Sequence, residues 1–310
     1  MPATKTSPSQ YIESLNMNGL KGRMLSLRSK RKNAQEILFI YGHHSSLERW
    51  WGLAQVLHGF GNVTMPDLPG FGGMDSFYKI GKKPTLDNFA DYLASFIKLK
   101  YRRKRVIIVG MSYGFVIVTR MLQRNPELQK NVKLVVSLVG FADHEDLNFS
   151  KTRYYFYLNS ARLLSGRFNS FLFRHLALNR LMLNLVYAKL HNAKYKFNSV
   201  ESNEQLKYLL DIEVGLWQMN DVRTYMLTTI DLLTFSNCSQ RVYVPLWHVA
   251  TVNDHFLDNA KVEQHLRVIY EDFTQSLINA TNHAPTVIAD KKAASVMVPK
   301  DLSRKIRSLK

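Results

Sequence analysis

Residues 105–114 read RVIIVGMSYG, a strand-like run that leads into a glycine-flanked serine. The apolar run after Arg105 is typical of a buried strand, and the apolar residues that follow the motif are spaced as on a helix. Ser112 therefore lies in a tight turn between strand and helix, within the pattern Gly-x-Ser-x-Gly. Such a turn strains the serine backbone and lifts its hydroxyl above the sheet, while Gly110 and Gly114 let strand and helix approach closely. This context favours Ser112 as a nucleophile over an ordinary turn serine.

A nucleophilic serine needs two partners, which the downstream sequence offers. The hydroxyl is a weak nucleophile near neutral pH, so it requires a histidine base and a carboxylate that orients the imidazole. His283 lies in the loop after the last predicted strand, and Asp254 follows the predicted strand before it. The order serine, aspartate, histidine accompanies this kind of turn. Asp143, just after the preceding strand, and Asp258 stay open as alternative acids.

Strands and helices alternate on both sides of this turn, which predicts a mostly parallel α/β sheet. Strands are predicted at about 37–41, 62–65, 105–109, 132–139, 241–249 and 273–278, with an outer strand at 24–28. Helices are predicted at about 47–58, 113–124, 221–235 and 258–270, with another that Thr85 can cap and a basic one at the C-terminus. From about 143 to 220 no strand is predicted, and apolar residues recur at helical spacing, as in Leu178, Leu181, Leu185 and Ala188. We therefore predict a core domain of residues 1–142 and 221–310 and a helical cap of residues 143–220.

Composition limits the class of protein. The 310 residues include 42 Lys and Arg against 24 Asp and Glu, a formal net charge of +18. With 46% hydrophobic residues the chain can close a core, which excludes a mainly disordered protein. A single cysteine, Cys238, forms no intramolecular disulfide, and no signal-peptide run or stretch of about 18 apolar residues is present. We expect a cytoplasmic protein without a cofactor or a metal, since His43 and His44 lack carboxylate or cysteine partners.

A series of motifs in chain order resembles the α/β-hydrolase superfamily, specifically its serine hydrolases with a helical cap. These motifs are ILFIYG (37–42), Trp50 or Trp51, PDLPGFG (66–72), VGMSYG (109–114), VPLWHVATVNDHFLD (244–258) and NHAP (282–285). The resemblance covers roughly residues 22–145 and 221–300. It implies a central sheet flanked by helices, with the cap inserted after the sixth strand.

The same resemblance implies the roles of the site residues. Ser112, Asp254 and His283 would form the catalytic triad, and the backbone N–H groups of His43 and Tyr113 would form the oxyanion hole. The chain departs from the family pattern in the residues that it carries at Tyr41, Met111 and Asn282. These positions usually hold histidine, histidine and glycine, respectively. None of these changes removes a triad member, and backbone donors tolerate changes of side chain.

The reaction expected from these residues is hydrolysis of a carboxylic ester, thioester or lactone of a small apolar acyl substrate, through an acyl-enzyme. Dehalogenases and epoxide hydrolases of the superfamily carry a carboxylate where this chain has Ser112, and the carbon-carbon bond hydrolases typically have tryptophan where it has Ala284. Residues 147–200 contain no acid that could bind a substrate ammonium, which argues against a cationic acyl group. A catalytically silent receptor or scaffold and an acyltransferase with the same triad remain alternatives.

The predicted cap is cationic as well as aromatic. Its basic residues in the acid-free stretch are Lys151, Arg153, Arg162, Arg167, Arg174, Arg180, Lys189, Lys194 and Lys196. A solvated lid explains them most simply, and weak peripheral association with an anionic membrane is the sharper hypothesis. No nucleic-acid partner is expected, because no recognition motif accompanies the charge. Asp67 is expected to anchor its loop, and His44 and His255 to line a loop or pocket.

Overall fold

The computed structural model describes residues 7–179, 181–183, 203–280, 283 and 290–309. Within this part, one eight-stranded sheet has the order β1-β2-β4-β3-β5-β6-β7-β8. The strands are β1 (Ile12–Met17), β2 (Leu20–Leu27), β3 (Gln35–Ile40), β4 (Gly61–Pro66), β5 (Val106–Met111), β6 (Val132–Leu138), β7 (Leu246–Thr251) and β8 (Phe273–Ile278). β2 is antiparallel to β1 and β4, and every other neighbouring pair is parallel. The predicted mostly parallel α/β sheet is confirmed.

Helices connect these strands and cover both faces of the sheet. They are α1 (Trp51–His58), α2 (Leu86–Lys100), α3 (Tyr113–Arg124), α4 (Lys151–Leu164), α5 (Arg167–Leu176), α6 (Asn203–Met219), α7 (Val222–Thr234), α8 (Asn259–Ile269), α9 (Lys291–Ala294) and α10 (Lys300–Ser308). Thr85 caps α2 as predicted, accepting a hydrogen bond from the backbone N–H of Asn88. No helix in the described ranges is both long and apolar enough to cross a bilayer.

The central strands are buried along their length because helices lie on both sides of them. All six residues of β5 are buried, and so are Glu36 to Ile40 of β3. A strand covered on both faces has no solvent side, which is why these segments read as continuous apolar runs rather than as alternating patterns. The carboxyl ends of the parallel strands meet at one edge of the sheet, where functional loops of such folds lie.

Two boundaries differ from the sequence-based prediction. The sheet begins with β1, a half-exposed edge strand whose weak apolar pattern was not predicted to be a strand, so the strand predicted at 24–28 is the second from the edge. The strand predicted from Arg241 begins only at Leu246. Pro245 has no N–H to donate to a neighbouring strand, and Val242 makes only an isolated bridge to Tyr270.

Helices α4 to α6 follow β6, the sixth strand, within the residues predicted as a cap, and α7 follows them. α4 and α5 pack against α7, and a second apolar cluster joins them. Its buried members are Ala161, Leu178, Leu183, Val214, Val222 and Met226. Leu185, Ala188, Arg180, Lys189, Lys194 and Lys196 lie outside the described residues. This second cluster supports residues 143–220 as a proposed cap that packs on α7.

Candidate active site

Ser112 has a strained backbone at the junction of β5 and α3. Its φ of 47° and ψ of −122° fall in a region that side-chain-bearing residues rarely adopt. The turn is fixed by two backbone hydrogen bonds, from Ser112 N to Leu138 O (3.0 Å) and from Phe115 N to Ser112 O (3.0 Å). Neighbouring strand and helix therefore hold the serine in a conformation that it would not adopt alone.

The two glycines of the motif are required by the close packing of this turn. A Cβ atom at Gly110 would lie 2.6 Å from the Cα atom of Phe115. A Cβ atom at Gly114 would collide with the carbonyl oxygens of Ile40 and Tyr41 at the end of β3. Backbone atoms cannot move aside as a flexible side chain can, so only glycine fits at either position.

His283 bridges Ser112 and Asp254. Its Nε2 atom lies 3.3 Å from Ser112 Oγ, and its Nδ1 atom lies 2.6 Å from Asp254 Oδ2. Ser112 follows β5, Asp254 follows β7 and His283 follows β8, so the three side chains meet at the carboxyl edge of the sheet. The hydrogen bond to Asp254 orients the imidazole so that its second nitrogen faces the serine hydroxyl.

The carboxylate of Asp254 is almost fully buried and accepts several hydrogen bonds. Its Oδ1 atom accepts from the backbone N–H groups of Phe256 (2.8 Å) and Leu257 (3.1 Å), which leaves Oδ2 for His283. Burial opposes ionisation, but the hydrogen bond and charge of His283 and the two backbone donors together hold the pKa of Asp254 below its ordinary value. The group is therefore an ionised acceptor at neutral pH.

The two alternative acids have other partners. Asp258 caps α8 by accepting from the backbone N–H groups of Ala260 (3.1 Å) and Lys261 (3.3 Å). Asp143 caps the short turn that follows it, accepting from Glu145 N at 2.9 Å. The structure thus brings Asp254, rather than either alternative, to the imidazole of His283.

The loop after β3 passes beside the hydroxyl of Ser112. A Cβ atom at Gly42 would lie 3.2 Å from Ser112 Cβ and 3.8 Å from its Oγ. His43 follows in this loop, and Tyr113 opens α3, where the first N–H groups of a helix have no acceptor one turn back. The two candidate oxyanion donors therefore belong to the segments that flank the hydroxyl.

The chain matches the sequence model of the alpha/beta hydrolase fold family over residues 36–221, more than half of its length. The chain belongs to this family. Among curated proteins, no sequence match is found.

Solved structures share the hydrolase fold at low sequence identity. An enol-lactonase from Burkholderia xenovorans LB400 has a TM-score of 0.66 and 14% identity, with 95% of this chain and 99% of that chain covered. An esterase from Thermogutta terrifontis has a TM-score of 0.63 and 12% identity, covering 96% and 98%. The esterase RhEst1 from Rhodococcus sp. ECU1013 has a TM-score of 0.62 and 14% identity, covering 97% and 100%. At these identities the likeness establishes the hydrolase fold.

Tyr41, one of the departures from the family pattern, holds the loop that contains Asp67. Its hydroxyl donates to Asp67 Oδ1 (2.8 Å) and accepts from Leu68 N (2.9 Å). Arg23 Nε donates to the other oxygen of Asp67 at 3.0 Å. Asp67 is completely buried and takes part in this network, as expected of a loop-anchoring carboxylate rather than a catalytic one.

We expect Tyr41→Phe to lower the free energy of unfolding by about 1–3 kcal/mol, because Leu68 N–H and one Asp67 oxygen lose a buried partner. Urea unfolding followed by circular dichroism measures the change. Tyr92→Phe is the matched control, since its hydroxyl makes only a 3.4 Å contact with Asp67 O and a 3.5 Å contact with Met74 Sδ. Equal losses in the two variants would contradict the anchoring role of Tyr41.

A buried polar cluster beside the candidate site was missed by sequence reasoning. Asn220 Nδ2 lies 3.1 Å from His44 Nδ1, and the ring of Trp217 contacts the same imidazole at a tilt of 44°, with 4.2 Å between centroids. The fully buried Glu213 places its Oε2 atom 4.0 Å from His44 Nε2. The available signal was Glu213, one of two acids within the otherwise apolar run LLDIEVGLW (209–217). Glu213 lies outside the acid-free stretch 147–200 and faces His44 of the site loop.

Two other buried histidines give the hydrolase a predicted pH dependence. His43 Nε2 is 2.8 Å from Thr228 Oγ1, and His248 Nδ1 is 2.9 Å from Ser137 Oγ. Burial lowers the pKa of each imidazole from 6.5 to about 4. Between these values the unfolded chain binds more protons than the folded chain, so stability falls as the pH drops from 6.5 towards 4.

We expect each imidazole to remove on the order of 2 to 3 kcal/mol of folding free energy over this pH window. Urea unfolding at a series of pH values measures this loss. His248→Gln removes one of the two titrations, so its stability should fall less steeply below pH 6.5 than that of the wild type. Parallel curves for both proteins would show that burial of His248 is not responsible.

Proposed function

We propose that this chain is a serine hydrolase that cleaves an ester, thioester or lactone bond of a small apolar acyl substrate. One observation carries the proposal, namely the continuous contact from Asp254 Oδ2 through both nitrogens of His283 to Ser112 Oγ. A buried acid, an oriented base and a strained serine at a strand-to-helix turn are the parts that acyl transfer to a hydroxyl requires. The esterases and the enol-lactonase among the structural neighbours act on bonds of this class.

In the first half of the reaction, Ser112 Oγ attacks the substrate carbonyl carbon while His283 Nε2 takes the hydroxyl proton. The imidazolium that forms is stabilised by the carboxylate of Asp254. Negative charge develops on the carbonyl oxygen, where the backbone N–H groups of His43 and Tyr113 would donate to it. Collapse of the tetrahedral species returns the proton from His283 to the leaving alcohol, thiol or ring oxygen. The product is an acyl ester of Ser112.

The second half repeats the sequence with water. His283 removes a proton from a water molecule while the water oxygen attacks the acyl carbon. The carboxylic acid then leaves, and His283 returns the proton to Ser112 Oγ. The imidazole of His43 faces Thr228 rather than the serine, so its backbone N–H and not its ring would donate to the oxyanion in both halves.

The surroundings of these residues favour an apolar acyl group. The ring of the partly exposed Tyr225 lies beside the imidazole of His43, with a centroid distance of 4.5 Å. Phe256 lies 5.5 Å from the imidazole of His283. Rings of this kind provide apolar contact area for an aliphatic chain and few partners for a charged one.

Hydrolysis of nitrophenyl esters with acyl chains from acetate to hexanoate tests the proposal. We expect kcat/KM to rise along the series, because each buried methylene contributes about 0.8 kcal/mol, or roughly a fourfold change. A burst of nitrophenol equal to the enzyme concentration would identify the acyl-enzyme. Hydrolysis confined to acetate would contradict the apolar pocket, and a folded protein that cleaves no ester in the series would contradict the hydrolase assignment.

A further inference from the structure

Helices α4 and α5 expose a large share of the apolar surface. Among the large apolar side chains that are exposed in the described ranges, more than half lie between residues 155 and 182. Phe156 is 66% exposed, Phe168 is 70% exposed and Phe171 is 57% exposed. Tyr155, Phe156 and Leu163 share one face of α4, and Phe168, Phe171 and Leu172 share one face of α5, at helical spacing. We call this the α4–α5 aromatic face.

Basic side chains border the α4–α5 aromatic face, and neither α4 nor α5 contains an acid. Asp221 lines the same depression as Phe168 and Phe171, but its carboxylate accepts hydrogen bonds from Thr224 and caps α7. The sequence contains no Asp or Glu from residue 147 to residue 200. Arg162 precedes Leu163 and Arg167 precedes Phe168, and both arginines are exposed. Neither forms a salt bridge with any residue that the structure describes. Their charge is therefore available to an anionic partner.

α4 and α5 pack on α7 through their opposite sides. The aromatic face is therefore not the side that these helices use to join the protein core. Tyr154 donates its hydroxyl proton to Leu233 O of α7 at 2.7 Å. Ala161 of α4 packs in the second apolar cluster with Val222 and Met226 of α7. α7 in turn contacts the site loop through Thr228, which places α7 between the aromatic face and the candidate active site.

We infer that the α4–α5 aromatic face binds the surface of an anionic lipid bilayer. Helices that lie in a membrane interface combine aromatic and aliphatic side chains on one face with lysine or arginine beside them. Here the aromatic rings would enter the headgroup region, and Arg162, Arg167 and Lys151 would meet lipid phosphates. α4 and α5 offer cations and apolar groups but no carboxylate of their own to the basic residues of a partner protein, so their charge favours an anionic surface. The inference is independent of the hydrolase proposal, since binding to a bilayer requires no turnover.

Sedimentation of the full chain with vesicles tests the inference. We expect binding to vesicles of phosphatidylcholine with phosphatidylglycerol, little binding to phosphatidylcholine alone, and weaker binding as salt is raised. Phe168→Ser with Phe171→Ser, and separately Arg162→Glu with Arg167→Glu, should each lower vesicle partitioning roughly tenfold or more. Circular dichroism and turnover of a soluble nitrophenyl ester report whether each variant is folded.

A matched control carries the same types of substitution near the amino end of β5, away from α4 and α5. Leu99→Ser with Arg102→Glu and Arg103→Glu alters one exposed apolar residue and two exposed arginines near the end of α2. We expect this variant to bind vesicles as the wild type does. Equal loss of binding in the control, or no binding of the wild type to anionic vesicles, would overturn the inference. So would a wild-type dimer that the phenylalanine substitutions convert to a monomer without any vesicle binding.

Discussion

Replacement of Ser112 by alanine is expected to lower the rate of ester hydrolysis on the order of 10⁶-fold, as loss of the nucleophile does in serine hydrolases that act through a triad. The hydroxyl lies 3.3 Å from His283 Nε2, and the loop that contains Gly42 passes beside it. The hydrogen bonds that hold this turn come from backbone atoms and not from the serine hydroxyl, so the fold should persist. Steady-state kinetics on a nitrophenyl ester measure the loss.

His283→Ala should have an effect of similar size, and the double variant should be no slower than either single variant. Residues that act as one unit give grossly non-additive losses, because removing any member disables the same step. Ser95→Ala, at a half-buried serine of α2, is the control and should retain full activity. Additive losses from Ser112 and His283 would show that the two side chains do not act in the same step.

Asp254→Asn is expected to lower turnover on the order of 10⁴-fold. The amide can present an N–H where the carboxylate accepts from His283 Nδ1 at 2.6 Å, which favours the tautomer that cannot take the serine proton. Two backbone donors hold the side chain in place, so the geometry should survive the substitution. The comparison of kcat for wild type and variant on one ester measures the effect.

Asp258→Asn and Asp143→Asn are the matched controls for Asp254. Each removes a carboxylate that caps a helical turn, so each should cost about 1 kcal/mol of stability or less and change turnover only a few-fold. A large loss of activity in Asp143→Asn together with a mild effect of Asp254→Asn would reverse the assignment of the acid.

The sequence predicted the central part of this fold well because its signals are local. Neighbouring residues alone define the apolar run, the glycine-flanked serine and the helical spacing that follows it. α3 accordingly occupies its predicted range, from Tyr113 to Arg124. β1 was missed because an edge strand is half exposed and its apolar alternation is weak. The start of β7 was placed too early because the residues from Arg241 to Val244 have strand-like composition, although Pro245 ends the ladder there.

Only the part of the candidate site that follows from the order of strands along the chain was predictable. Asp254 and His283 could be chosen because each follows a predicted strand, and the carboxyl ends of parallel strands lie at the same edge of the sheet. The contact of His44 with Asn220 joins residues far apart in the chain. No local pattern encodes such a contact, and the same holds for Glu213, whose burial depends on how α6 packs. The substitution at Tyr41 was visible, but its bond to Asp67 was not.

Labelling with a fluorophosphonate probe tests the central claim most directly, because the probe reacts with an activated serine and makes no assumption about substrate. We predict one labelled site per chain, identified as Ser112 by mass spectrometry of the digested protein. Labelling should disappear in Ser112→Ala and in His283→Ala and persist in Ser95→Ala. A folded wild-type protein that takes up no probe, or that carries it on a residue other than Ser112, would contradict the account and favour a catalytically silent receptor.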